Sequence, residues 1–382
     1  MTETASVFLE LGGIIALLSL LGRLASRLSI SPIPLYLLGG LMFGEGGLVP
    51  VVTSERFVEV GAEVGVVILL LMLGLEYSGR ELVSSLRSSA TVGVLDFVLN
   101  FSPGLLLGLF LGMELVPSMF LGGVTYISST GVVAKLLNDL GWIGNRETPL
   151  VLSVLVFEDL AIAIILPILS ALAFGSSLGT AVTSVAIALI GVGLALIISA
   201  KYGHQLSDRA FSGSNEVNLL TLLGITLIVA GAADAIHLSA AVGAFLVGIA
   251  VSGEAANRAE VQLAPIRDLF AAFFFVFFGL STDPSILPGV AVPVLVLVVV
   301  TMFTKLVVAW VAGQRAGIRI RGRLRAATLL AARGEFSVII ASLGVAAGGG
   351  SRLEAIAAGY VLVTATLGPV LARSIDRRFV SV

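Results

Sequence analysis

The chain has 382 residues, of which 57% are hydrophobic and 12% charged, and its mean hydropathy is +1.09. A soluble domain carries about a quarter charged residues, so this composition excludes one and indicates an integral membrane protein. The chain has no cysteine, and its histidines are His204 and His237 alone, which excludes disulfides, thiolate chemistry and a typical Cys- or His-rich metal centre; a net charge of −2 gives no reason to expect nucleic acid as a partner.

A spanning helix needs about 20 apolar residues. Hydropathy between charged or Gly/Pro punctuation predicts roughly thirteen spans in an all-α polytopic bundle, near 6–27, 33–49, 57–75, 89–112, 115–138, 148–172, 178–200, 216–235, 237–252, 262–282, 287–314, 324–348 and 353–374. The opening MTETASVF lacks the basic n-region of a cleavable signal, so the first apolar stretch is expected to remain as a helix. Loops are short and no Pro-rich or Ser-rich linker appears, so residues 1–382 read as a single transmembrane domain with no soluble regulatory domain.

Lys and Arg near helix ends are retained in the cytoplasm. Of the 22 Lys and Arg residues, alternating the predicted spans puts all but four on one side; Arg56 and Arg352 fall on the other, and Lys305 and Arg333 lie within spans. That asymmetry predicts a cytoplasmic C-terminus and an N-terminus outside the cell or inner membrane. The arginines from Arg315 to Arg325 form a basic loop suited to anionic lipid or to a separate cytoplasmic regulatory subunit.

The chain also resembles itself. Gly39 to Gly44 in the second span pairs with Gly243 to Gly248 in the ninth, Leu73-Gly74-Leu75 with Phe278-Gly279-Leu280 in the tenth, and Ser129-Thr130-Gly131 with Ala332-Arg333-Gly334 in the twelfth, all at nearly one offset. Corresponding elements are an odd number of helices apart and so cross the membrane in opposite directions. This predicts inverted repeats over about 6–172 and 216–374 with a linker helix at about 178–200, an organisation used by secondary transporters with a midplane site.

Ionisable groups inside a membrane are costly and need a partner or a wet cavity. Asp96, with Asn100 one turn later in the fourth span, is divided between a pathway and a packing role. Glu158 and Asp159 stand near the middle of the sixth span, Lys305 in the eleventh, and Arg333 and Glu335 in the twelfth; fully ionised, these five would sum to a net negative charge able to take a cation or a proton. Adjacent helix positions are about 100° apart, so Glu158 and Asp159 point in different directions. Buried ion pairing fits Arg333 and Glu335 best and Asp159 least, because an apolar run follows it. Glu59 and Glu63 suit a solvated mouth, and His204 and His237 suit a loop and a helix end. Two segments look interrupted at mid-membrane, Thr125 to Gly131 and Ala331 to Ser337, where freed carbonyls must be satisfied by side chains, water or an ion.

The motifs Phe157-Glu158-Asp159-Leu160-Ala161, Ser128-Ser129-Thr130-Gly131-Val132-Val133-Ala134-Lys135, Leu73-Gly74-Leu75-Glu76 and Arg333-Gly334-Glu335-Phe336 resemble the transmembrane half of Kef-type monovalent cation:proton antiporters, within the superfamily of the NhaA and NapA sodium/proton antiporters. The resemblance covers essentially the whole chain. It implies the antiporter fold, with two crossing interrupted helices at spans five and twelve, a homodimer, and spans four to six and eleven to thirteen as a moving core. It also implies that Asp159 binds a monovalent cation (the only metal expected) and a proton in turn. From the residues themselves, Glu158, Ser129 and Thr130 are expected to line the same cation/proton site, and Lys305, Arg333 and Glu335 to compensate charge. Kef proteins carry Gln-Asp where this chain has Glu158-Asp159, and their nucleotide-binding C-terminal domain has no counterpart here.

The expected function is therefore secondary antiport of H+ against K+ or Na+, with no cofactor and no enzymatic reaction. If Lys305 pairs with Glu158 throughout, Asp159 alone trades one proton for one cation. A cation channel or a cation-coupled symporter on the same fold is the alternative. No filter motif favours a channel, and neither Gly-x-Gly-Asp nor His-Glu-x-x-His is present to favour an intramembrane enzyme.

Overall fold

The computed structural model describes residues 3–28, 32–43, 55–75, 79–174, 214–235, 240–251 and 254–380, with isolated positions at 183, 186, 190, 194 and 197. Regular structure in them is helical, with no strand among the described residues. In chain order the helices are α1 (Glu3–Leu28), α2 (Ile33–Phe43), α3 (Glu55–Leu75), α4 (Gly79–Phe110), α5 (Leu115–Tyr126), α6 (Thr130–Asp139), α7 (Thr148–Phe174), α8 (Asn215–Ala235), α9 (Ala240–Ala250), α10 (Glu254–Ser281), α11 (Leu287–Arg315), α12 (Ile320–Leu330), α13 (Glu335–Gly344) and α14 (Gly350–Val380). Among the described residues, 7 helical stretches are long and apolar enough to cross a membrane. Most of the predicted linker 178–200, together with His204 and His237, lies outside the described residues.

Two predicted spans are each two helices. The window 115–138 divides into α5 and α6, and 324–348 into α12 and α13, as the mid-membrane polar and glycine residues led one to expect. Elsewhere helices outrun their hydropathy windows: α4 begins at Gly79 rather than 89, α10 at Glu254 rather than 262, and α14 runs to Val380 rather than 374. A formed helix gains a hydrogen bond with each added residue whatever its polarity, whereas hydropathy registers only the lipid-crossing part.

The chain forms two compact units, one of residues 1–59, 91–158 and 275–382, the other of residues 60–90 and 159–274. In the first, α11 packs against α12 and α14, and α13 against α5 and α14. A cluster around Val133, Leu137, Trp142, Val151, Leu155, Leu330 and Ala372 joins α6, α7, α12 and α14. The second unit is built around Leu71, Met72, Leu222, Ala244 and Leu263.

Helix faces show the inversion that a lipid solvent imposes. On α11, Val292, Leu295, Val299 and Phe303 are exposed, while Val294, Val298, Thr301 and Lys305 recur at helical spacing on the buried side. On α4, Val94 and Val98 are exposed, whereas Asp96 and Asn100 are fully buried. Lipid tails leave little hydrophobic drive between helices, so contacts rest on close approach and hydrogen bonds. Small residues supply the first. In one unit a Cβ on Gly40 would lie 2.8 Å from the Gly279 Cα, and in the other a Cβ on Gly74 would lie 2.8 Å from the Gly248 Cα. The α2–α10 and α3–α9 crossings are therefore glycine against glycine.

Candidate functional site

The two interruptions touch. After Tyr126 the chain runs extended through Ile127 before α6 starts at Thr130, and α12 stops at Leu330, four residues short of α13. The Ser129 N–H donates to the Ala332 carbonyl at 2.9 Å, so each break satisfies part of the other's backbone. Gly334 permits this approach, because a Cβ there would stand 2.2 Å from Ser129 Oγ.

Broken helices leave carbonyls at C-terminal ends and N–H groups at N-terminal ends, with partial charges of opposite sign. Arg333, fully buried, serves the carbonyl ends. Its Nη2 donates to the Thr125 carbonyl at 2.8 Å at the end of α5, its Nη1 to the Leu330 carbonyl at 2.8 Å at the end of α12, and its Nε to the Tyr360 hydroxyl at 3.1 Å. Tyr360 passes its own proton to Thr301 Oγ1 at 2.8 Å. Ser337 Oγ donates to the Val124 carbonyl at 2.9 Å. Carboxylates take the opposite ends: Glu158 accepts from the Ser128 N–H and from Ser128 Oγ, the latter at 2.9 Å, just before α6, and Glu335 occupies the first position of α13, accepting from Ser129 Oγ at 3.0 Å. Ser129 Oγ in turn accepts from the Val132 N–H at 3.3 Å, capping α6.

The sequence groups Arg333 with Glu335 as the best ion-pair candidates, and the geometry separates them. Arg333 is engaged by the helix-end carbonyls and Glu335 by Ser129, because two residues apart on a chain that bends at Gly334 they project to different sides of the break.

Lys305 shows the converse. Its Nζ lies 2.6 Å from Glu158 Oε1 and 2.7 Å from Asp96 Oδ1, with all three side chains fully buried. Asp96 Oδ1 also accepts from Asn100 Nδ2 at 2.9 Å, and the Asn100 Oδ1 accepts from Thr304 at 2.7 Å. Asp96, which the sequence left divided between pathway and packing, is a second acid on the same ammonium. Asp159 follows Glu158 on the uninterrupted α7, about 100° further round the helix, and is 2% exposed. Within the first unit three carboxyl groups (Asp96, Glu158, Glu335) stand with two cations (Lys305, Arg333), Asp96 being the acid that the sequence count left out. The Thr130 hydroxyl oxygen is buried with no hydrogen-bond partner among the described residues. A site with more carboxyl groups than cations and an unused oxygen beside a helix break can hold a small cation or protons, since either adds positive charge where the acids outnumber their partners. Among the described residues no group of His, Cys, Asp and Glu has the clustering of a multivalent metal centre.

Thr301, Thr304 and Tyr360 are parts of the network that sequence reasoning did not place, and Ser128 and Ser337 entered it only as members of the interrupted segments. For Thr301, Thr304 and Lys305 a signal existed, a polar i, i+3, i+4 face on an otherwise apolar helix. Tyr360 with Thr364 one turn later offered a weaker form of the same signal. Glu63 is exposed, in keeping with a solvated position, while the Glu59 side chain and Glu76 lie outside what is described.

The family described as sodium/hydrogen exchanger, transmembrane, matches residues 13–373. The chain is 35% identical over 377 residues to the K(+)/H(+) antiporter subunit KhtU of Bacillus subtilis, covering 96% of this chain and 93% of that protein. It is 31% identical over 384 residues to the ammonium/H(+) antiporter subunit AmhT of Alkalihalophilus pseudofirmus, covering 96% and 94% respectively. In three dimensions it is similar to the sodium proton antiporter MjNhaP1 of Methanocaldococcus jannaschii, with a TM-score of 0.72 at 17% identity over 97% of this chain and 100% of the other.

Proposed function

The chain belongs to the sodium/hydrogen exchanger transmembrane family, and from that premise we propose how it works as a secondary monovalent cation/proton antiporter: Asp159 binds the cation and the proton in turn, and their mutual exclusion at one carboxylate couples the two fluxes. The observation that carries this reading is the fully buried Asp96–Lys305–Glu158 cluster, fastened through Glu158 to the first helix break, with Asp159 as the next residue of the same helix. Glu158 is held by Lys305 and Ser128 and is therefore a fixed anchor. Asp159, the next residue of α7, is the carboxylate that exchanges its occupant in this reading. Ser129 and Thr130 supply hydroxyl oxygens at the break, Arg333 and Glu335 hold the half-helix ends, and Lys305 keeps its acids through the cycle, so that one proton moves for one cation without net charge. Asp96 and Asn100 belong to this anchor rather than to an ion pathway.

Potassium is the proposed cation, with sodium as the competitor, following the Kef-like motifs and the antiporter relative named for K(+). The proposal includes inverted repeats over about 6–172 and 216–374. Support comes from the two glycine crossings: exchanging the second span with the ninth and the third with the tenth turns the α2–α10 contact into the α9–α3 contact. It also includes an inner or plasma membrane location with the N-terminus outside and the C-terminus cytoplasmic, a homodimer, and a separate cytoplasmic regulatory subunit, the last supported by two relatives named as antiporter subunits.

Proteoliposomes containing the purified chain and a pH-sensitive dye test the reading. An imposed K+ or Na+ gradient is expected to move protons in the opposite direction, and Asp159→Asn, which keeps the shape but cannot titrate, is expected to abolish this while folding normally. Retained exchange in Asp159→Asn refutes the assignment. Proton movement in the same direction as the cation indicates a symporter instead.

A further inference from the structure

We propose that a cavity of about 450 Å³ between the α6–α7 connection and the first turns of α12 binds a phosphate-bearing anion. Arg146 from the connection and Arg319, Arg321 and Arg325 from the start of α12 line it, with Glu147 as the one carboxylate in the wall, so four positive charges meet one negative. The connection and the start of α12 belong to one compact unit, and their arginines are among those that collect on a single predicted face of the membrane.

Glu147 is built into the wall. It is 5% exposed, accepts from Asn145 Nδ2 at 3.1 Å, and lies 3.4 Å from an Arg325 guanidinium nitrogen. Arg325 in turn stacks over the Trp142 ring at 4.5 Å. A Cβ on Gly322 would stand 2.9 Å from Glu147 Oε2, so the absent side chain lets this carboxylate come against the first turn of α12. Glu147 faces Arg325, and Arg146 and Arg319 bring further guanidinium charge to the cavity beside Arg321. Guanidinium forks match phosphate oxygens in pairs, and no side chain caps the α12 N-terminus, whose first N–H groups add to the positive potential. The volume lies within the range of small-molecule pockets, roughly 300–1,000 Å³, larger than a monatomic anion needs.

Position gives the site a consequence. Glu147 immediately precedes α7, which carries Glu158 about three turns on, and α12 ends at Leu330, whose carbonyl is held by Ser128 and Arg333. An anion bridging Arg146 to Arg319 and Arg321 ties together the near ends of the two helices whose interiors hold the ion site. Occupancy is therefore expected to slow exchange by restraining those helices. Binding itself is measured without transport, so its outcome is separate from that of the antiport reading.

Trp142 reports the cavity, and Trp310→Phe leaves it as the single tryptophan. In that background the full chain in neutral detergent is titrated with inorganic pyrophosphate, with dihexanoyl phosphatidic acid and with dihexanoyl phosphatidylcholine. A saturable Trp142 fluorescence change is expected with the phosphate-ended probes and not with phosphatidylcholine, weakening with added salt and weakening by about tenfold or more in Arg319→Gln/Arg321→Gln. Response to pyrophosphate as well as phosphatidic acid identifies a soluble phosphate ester as the ligand source; response to phosphatidic acid alone identifies a lipid headgroup. Should the double variant fail to fold, Arg146→Gln in the exposed connection is expected to weaken the same response severalfold. No saturable response, or equal affinity in folded variants, overturns the proposal. So does loss of a co-purifying polypeptide from the variants with no response to either phosphate probe, which would make the arginines a protein-docking surface.

Discussion

Replacing Lys305 by glutamine takes away an ammonium held 2.6 Å from Glu158 and 2.7 Å from Asp96, with every partner fully buried. At an effective dielectric of about 20, each contact is worth roughly 6 kcal/mol of Coulomb attraction, offset by desolvation and by repulsion between the two acids. Breaking a buried pair by deleting one partner costs about 3–5 kcal/mol, because the other charge is left without compensation. Lys305→Gln is therefore expected to lower the apparent Tm in detergent by roughly 5–10 °C, taking the lower end of the usual scaling for a chain of this size. Asp96→Asn is milder: it leaves Lys305 paired one-to-one with Glu158 and keeps an amide oxygen to accept from the ammonium, so its loss is expected to be less than half as large. The double variant Lys305→Gln/Asp96→Asn should recover part of the Lys305→Gln loss by removing one stranded acid. Thermal unfolding of the four proteins, followed by tryptophan fluorescence and by retention of a monodisperse chromatographic peak, makes the comparison. A Lys305→Gln protein as stable as the parent, or an Asp96→Asn protein as damaged as Lys305→Gln, would refute a triad in which one cation holds two acids.

Gly334→Ala should destabilise by about 1–3 kcal/mol, since the new methyl meets Ser129 Oγ at 2.2 Å where the two breaks cross; equal melting of variant and parent would show that the breaks separate readily. Arg333→Lys keeps the charge but cannot reach the Thr125 and Leu330 carbonyls together, so exchange is expected to fall at least tenfold, measured in proteoliposomes, and normal exchange would mean that charge alone suffices. Asp283 caps a short turn by accepting the Ser285 N–H at 2.8 Å, and these hydrogen bonds hold its carboxyl below the usual carboxylate range. A lowered folded-state value contributes stability above the unfolded value that is lost as pH falls through the folded one, so the Tm difference between parent and Asp283→Ala should be present at neutral pH and fade as pH falls below the ordinary carboxylate value. A difference that persists there would point to packing. Cysteines introduced at positions 174 and 320 should label from outside and inside respectively, and labelling of both from one side would overturn the proposed topology.

Much of this protein was legible in one dimension because lipid enforces simple rules. Apolar length marked the membrane helices, and charges within them, too costly to be incidental, marked Glu158, Asp159, Lys305 and Arg333, which are buried, and Glu335, which is half-buried. Glycine beside polar residues in mid-membrane marked both breaks, at Ile127–Ser129 and Ala331–Gly334. Partners were not legible in the same way. A side chain's charge is a property of its residue, but the group that answers it is chosen by helices far apart in the chain: Asp96 and Lys305 are 209 residues apart and Arg333 and the Thr125 carbonyl 208. Pairing Arg333 with Glu335 was the natural reading of neighbours on one helix, and the turn at Gly334 defeated it. The sequence by itself determined a lipid-embedded helical bundle and which residues had to be accounted for inside it. Only the tertiary structure decided that one lysine serves two acids and one arginine serves two helix ends, because hydrogen bonds in a water-free interior go to whatever group the packing brings within 3 Å.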